Sequence, residues 1–172
     1  MPASRTLANE ISQENREDHP VISHLQTQVA NAFVLYANYK HYHWQTYGPL
    51  FRDLHLMFDD FAKEVLETVD EMAERIRMIG PDVEAVQLLQ LQKKANVHSS
   101  GSKQSMREMI EEADANLMVV IKDIRDAARA AEENNDPGSN DLFAGIVRIH
   151  EKHEWFLRQV LKHSDGLVSS PK

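Results

Sequence analysis

Cysteine is absent from the 172 residues. That removes disulfides, thiolate metal sites and cysteine nucleophiles together. Any metal site must therefore be built from His, Asp or Glu, a donor set that suits iron, manganese or zinc. Glycine and proline are scarce, with six of each, and long stretches contain neither, which favours helices over many short strands. No run of about 18 apolar residues occurs, so no transmembrane helix is expected. The opening stretch MPASRTLANEISQENREDHP has no apolar core and no cleavage-site pattern. It is not expected to act as a secretory signal, and the cytoplasm is the expected location. That stretch also lacks lysine.

What is present fits one domain with a sizeable core. The formal net charge is -8, which argues against general nucleic-acid affinity, because phosphate binding needs clustered Lys and Arg. It is compatible with attracting cations. Nine histidines are present, several of them near carboxylates.

Apolar periodicity divides the chain. Residues 1–20 read as a polar tail. Ile22, Leu25, Val29, Phe33 and Tyr36 recur at three- and four-residue steps, predicting a helix over about 21–45. Gly48-Pro49 breaks it. A second helix is predicted over about 50–79, stopped by Gly80-Pro81. Residues 82–103 form a connector, with VEAVQLLQLQ as a candidate short helix. A third helix is expected over about 104–133, a turn at ENNDPGSN, and a fourth helix over about 141–163. Residues 164–172 read as a frayed tail. The sum is all-α: a four-helix bundle with a long crossover between helices two and three, carrying a short extra helix.

The second helix holds the chemistry. At about 100° per residue, Leu54, Phe58, Phe61, Val65, Val69, Met72 and Ile76 form a core-facing stripe. Asp60, Glu64, Glu67 and Glu71 form an acidic stripe on the other side. Between the two lie His55, Asp59, Asp70 and Glu74. His55 and Asp59 are four residues apart, as are Asp70 and Glu74, so each pair can share a metal ion. Asp59 and Asp70, however, are separated by roughly 16 Å of helix rise. Metal pairs about 3.5–4 Å apart cannot span that distance. Two readings stay open: two independent weak sites per chain, or one site assembled from two chains about a two-fold axis. His43, at the end of the first helix, is a fifth candidate, because the turn brings it near His55. A single His–Asp pair is ordinarily a surface pair; two in phase on one helix single it out.

These residues resemble the Dps family, the mini-ferritins named as DNA-binding proteins from starved cells. The matching segments are HW at 43–44, GPLFRDLHLMFD at 48–59 and VDEMAER at 69–75. The intervals from His43 through His55, Asp59 and Asp70 to Glu74 are 12, 4, 11 and 4 residues, the family's spacings. Trp155-Phe156 near the end also fits, and the likeness covers roughly residues 21–163. The resemblance implies a ferritin-like four-helix bundle and a ferroxidase site at a dimer interface. His43, His55 and Asp59 would come from one subunit, and Asp70 and Glu74 from its mate. Two irons per site, hydrogen peroxide as oxidant, a ferric mineral and a hollow dodecamer are implied with it. Zinc is expected as a competitor at such ligands. Glu-x-x-His, the mark of intrachain di-iron bundles, does not occur in the sequence.

Further residues carry expectations. Trp44 and Trp155 read either as core packing or as oxidisable indoles near the iron. The acidic stripe is a solvated helix face or a cavity lining that nucleates mineral. Leu56 stands where some family members carry an acid, so nucleation leans on Asp60 and Glu64, with Glu67 beside them. Asp141 starts the fourth helix, as a cap or, by resemblance, as a pore lining. HEKHE at 150–154 is not a zincin motif. Surface or packing roles are expected for His150 and His153, and His41 and His163 are weaker candidates near the site. Arg5 and Arg16 face Glu10, Glu14, Glu17 and Asp18 in the first tail, so DNA binding is expected to be weak or absent. A DNA-compacting nucleoid protein with little ferroxidase activity, and a metal-free helical interaction module, are the competing readings.

Overall fold

The structure, a computed structural model, describes residues 19–84 and 88–162. The expected polar tails fall almost wholly outside these residues, as does His163. Five helices are described, α1 Pro20–Gln45, α2 Phe51–Ile79, α3 Leu88–Lys94, α4 Met106–Glu133 and α5 Pro137–Val160. There is no strand among the described residues.

The helix ends have local causes. Proline at the first position of α1 supplies a preset φ where no N–H is needed. The α1–α2 turn passes through Gly48 at φ 86°, a left-handed conformation that costs glycine little. Ser105 caps α4 in a reciprocal capping box with Glu108. At α5 the expectation is corrected. The helix begins at Pro137, not near Asp141, because Asp136 caps it by accepting from the Ser139 N–H and Pro137 takes the first helical position. Asp141 is therefore an exposed residue of the second turn and not the cap.

The apolar stripe of α2 meets the core as expected. Leu54, Phe58, Phe61, Val65, Met72 and Ile76 are buried, and Val69 packs against them. Each such side chain contributes about 1.5–3 kcal/mol on burial. Tyr39 and Tyr42 of α1 close over Phe58 with ring centroids 6.1 and 5.2 Å away. Glu64 reaches Lys152 and His153, while Arg75 reaches Asp136 and Ser139. These contacts run α2 and α5 antiparallel.

The crossover is pinned by amide side chains. Asn38 donates to the His98 carbonyl at 2.8 Å and accepts from the Ser100 N–H at 2.8 Å. Asn116 brackets the same His98 peptide from α4, accepting from its N–H and donating to its carbonyl, both at 3.0 Å. Asn31 accepts from the Asn96 N–H, and Gln26 satisfies Asp82 and Glu84. These bonds satisfy backbone groups that secondary structure leaves unpaired, and they let Val97 drop into the core.

Candidate metal centre

His43 lies in the last turn of α1 and His55 in the second turn of α2. The intervening turn stacks their rings, with centroids 3.7 Å apart and planes at 23°. Each ring is tied to the other's backbone. His43 Nδ1 lies 2.7 Å from the His55 carbonyl, and His55 Nδ1 lies 2.8 Å from the His43 carbonyl. A carbonyl only accepts, so both Nδ1 atoms carry the proton. The remaining nitrogen of each ring, Nε2, is then a lone-pair donor aimed away from the backbone, the usual arrangement behind a metal-binding histidine. Phe51 also stacks on His55, with ring centroids 5.1 Å apart.

Asp59 lies one turn beyond His55. Its two oxygens are each held by an ammonium, Lys40 at 2.7 Å on Oδ1 and Lys63 at 2.7 Å on Oδ2. The hydrogen bond from Lys40, then that from Lys63, holds the carboxyl well below the ordinary carboxylate range. Lys40 also sits 5.8 Å over the Trp44 ring. A divalent cation reaching Asp59 has to displace these ammonium groups.

Asp70 and Glu74 are exposed on the same helix, with no hydrogen bond or ion pair among the described residues. No three His, Asp or Glu side chains of the described residues gather as a metal site. The structure thus brings His43 and His55 together, with Asp59 one turn further along α2. It leaves Asp70 and Glu74 several helical turns away. Neither the His55–Asp59 pair nor the Asp70–Glu74 pair is completed into a metal site among the described residues.

Three expectations are narrowed. Trp44 is 66 % and Trp155 50 % exposed, so neither is core. Phe156 takes the inward position against Phe61, which turns its neighbour Trp155 outward. Glu64 is held by partners on α5, whereas Asp60, Glu67 and Glu71 are exposed. Partial burial alone would raise its carboxyl, but Lys152 and His153 outweigh that and hold it below the ordinary range. Of the roles expected for His150 and His153, the structure selects packing, since both are buried. The His153 ring lies 3.9 Å from the Phe61 ring at 16°. His41 merely meets the edge of Tyr42.

Sequence reading passed over Lys40, Lys63 and Arg75. Lys63 was visible four residues beyond Asp59. Lys40, on another helix, gave no such signal.

A four-helix bundle with one long crossover and a half-set of histidine and carboxylate donors defines the ferritin-like class, and the ferritin-like domain model matches residues 22–166. Dps from Thermosynechococcus elongatus superposes with a TM-score of 0.82 at 40 % identity, over 95 % of this chain and 100 % of that one. DNA protection during starvation protein 1 of Deinococcus radiodurans is 29 % identical, over 92 % of this chain and 76 % of its own length. Dps of Vibrio cholerae O1, described as one of the ferritin-like diiron-carboxylate proteins, superposes with a TM-score of 0.77 at 26 % identity, over 83 % of this chain and 89 % of that one. The chain belongs to the Dps family of ferritin-like proteins and is of the iron-handling type that family represents. No helix among the described residues is long and apolar enough to cross a membrane.

Proposed function

We propose that the chain is a ferroxidase and iron store that oxidises iron(II), preferably with hydrogen peroxide, at sites shared by two copies. The observation that carries this reading is the reciprocal His43–His55 tie, which leaves both Nε2 atoms as donors, with Asp59 one helical turn beyond His55. Asp70 and Glu74 of a second copy, related by a two-fold axis, complete the ligand set. Iron is the substrate, two ions per site. Five side-chain donors leave positions on the pair for water or peroxide. Two iron(II) ions give up one electron each to one peroxide, its O–O bond breaks, and water supplies the remaining oxygen as ferric oxyhydroxide forms with release of four protons. Carboxylates stabilise the ferric product.

Twelve such copies enclose the mineral in a hollow shell. Asp60, Glu67 and Glu71 line its inner wall, with Glu64 restrained by Lys152 and His153. Asp141 lies at a pore that steers iron(II) inward. Trp44, beside His43, is the indole placed to intercept stray oxidants, with Trp155 as the second. Zinc competes for the same donors. The protein works in the cytoplasm against oxidative damage and binds DNA weakly or not at all.

The test is anaerobic iron(II) loading followed by peroxide, read by ferric absorbance and by peroxide consumed per iron. Wild type should oxidise rapidly with about one peroxide per two irons. His55→Ala with Asp59→Ala should abolish the fast phase while the particle stays near twelve subunits by light scattering. Undiminished oxidation in that variant would refute the ligand assignment, and a stable monomer would refute the shared site.

A further inference from the structure

Asp70 and Glu74 are exposed, with no hydrogen bond or ion pair among the described residues, so the helix beneath fixes where they point. One polar tie joins that stretch of α2 to the rest of the bundle. Arg75, next to Glu74, spreads its guanidinium over the start of α5. Its Nε donates to Ser139 Oγ at 2.9 Å and its Nη2 to Asp136 Oδ1 at 2.5 Å. Among the described residues, no other side chain of α2 between 65 and 79 bonds to another helix. The receiving end is rigid. Asp136 is 6 % and Ser139 0 % exposed, and Asp136 also accepts from the Ser139 N–H and hydroxyl. Gly138 leaves the room the guanidinium needs, since a Cβ there would meet the Arg75 Cζ and Nη2 at 3.0 Å.

We propose that Arg75 is a positioning residue for the shared metal site, its fork on Asp136 and Ser139 locking the rotation and height of the α2 turns that present Asp70 and Glu74 to a second copy. The proposal rests on the site reading above. A planar fork with two partners on one helix turn fixes both rotation and translation, which a point charge such as lysine does not. Donors that must meet across an interface depend on such support, because losing an outer partner typically weakens metal binding about 10- to 100-fold.

Arg75→Met, Arg75→Lys and Gly138→Ala test it in the full chain, with iron(II) itself as the probe. Anaerobic titration gives affinity, peroxide turnover gives KM and kcat, and light scattering gives particle size. The expected result is assembled particles that bind iron(II) about 10-fold more weakly than wild type, with KM raised and kcat at saturating iron largely kept. Arg75→Lys should fail to rescue. Gly138→Ala leaves the arginine in place and only displaces its head, so it decides the matter if Arg75→Met does not fold. Variants with a lower melting temperature but wild-type affinity and KM would reduce Arg75 to a structural brace. Wild type that binds no iron(II) would overturn the site reading and this proposal with it.

Discussion

Acid should strip stability from this fold through two histidines on α5. His150 and His153 are 2 % and 0 % exposed, and neither Nδ1 has a hydrogen-bond partner among the described residues. Burial pushes His150 down to about 3. Burial likewise pushes His153 down to about 4, although Glu64 pulls the other way. An unfolded chain takes up these protons near pH 6.5. The folded chain refuses them until far lower pH, so between those limits the unfolded state holds more protons and stability falls as pH falls. From pH 7 to 5 the loss is roughly 2 kcal/mol for each histidine. The ordinary stability of a domain is about 5–15 kcal/mol. For a chain of this length each kcal/mol moves the midpoint by about 2–4 °C, so the pair together should lower the melting temperature by about 8–16 °C. Glu64 and Asp136 are both held below the ordinary carboxylate range and release their stabilisation only at lower pH still. The assay is thermal melting by circular dichroism at pH 7 and 5, at one protein concentration, for wild type and for His150→Leu with His153→Leu. The variant should lose most of this acid-dependent drop. If its midpoint falls as far as that of wild type between the two pH values, the buried histidines are not the cause.

The other outcomes follow from single contacts. Lys40→Met frees Asp59 from one of its two ammonium partners, and a partly exposed pair of this kind resists a competing cation only modestly; anaerobic titration should show iron(II) binding roughly two- to five-fold tighter, and unchanged binding would mean the lysine does not compete. Ser105→Ala breaks the capping box of α4 and should cost about 1 kcal/mol, read as a lower urea midpoint at unchanged slope. Asn38→Leu leaves the Ser100 N–H without its acceptor and weakens the hold on His98, so unfolding should be easier by about 2 kcal/mol and amide exchange across 96–100 faster; protection equal to wild type would refute the clamp.

The bundle was legible because its signals are local. The three- and four-residue apolar steps of α1, α2 and α4, with Gly80-Pro81 as a stop, place those helices within a residue or two of where they lie. The start of α5 was missed because ENNDPGSN reads as a turn by composition, while Asp136-Pro137 within it is a cap followed by a first-turn proline. The seating of the connector was hidden as well. Asn31, Asn38 and Asn116 look like ordinary polar residues on helices, and their bonds span 18 to 65 positions. For the candidate centre, helical spacing singled out His55, Asp59, Asp70 and Glu74, the turn after α1 added His43, and the family resemblance joined the five. Spacing was silent on the ammonium groups at Asp59, since Lys40 arrives from a different helix. It also gave no sign that Trp155 faces outward, because neighbouring aromatics on a helix do not declare which of them takes the inner seat.

The long gap on α2 between Asp59 and Asp70 has a consequence for the life of the protein. On the proposed reading, a newly made chain is chemically idle, with half a socket at each end of one rod. Ferrous iron met before pairing finds no place to react and generates no oxidants against a subunit that has not found its mate. On that reading, assembly itself is the safety catch.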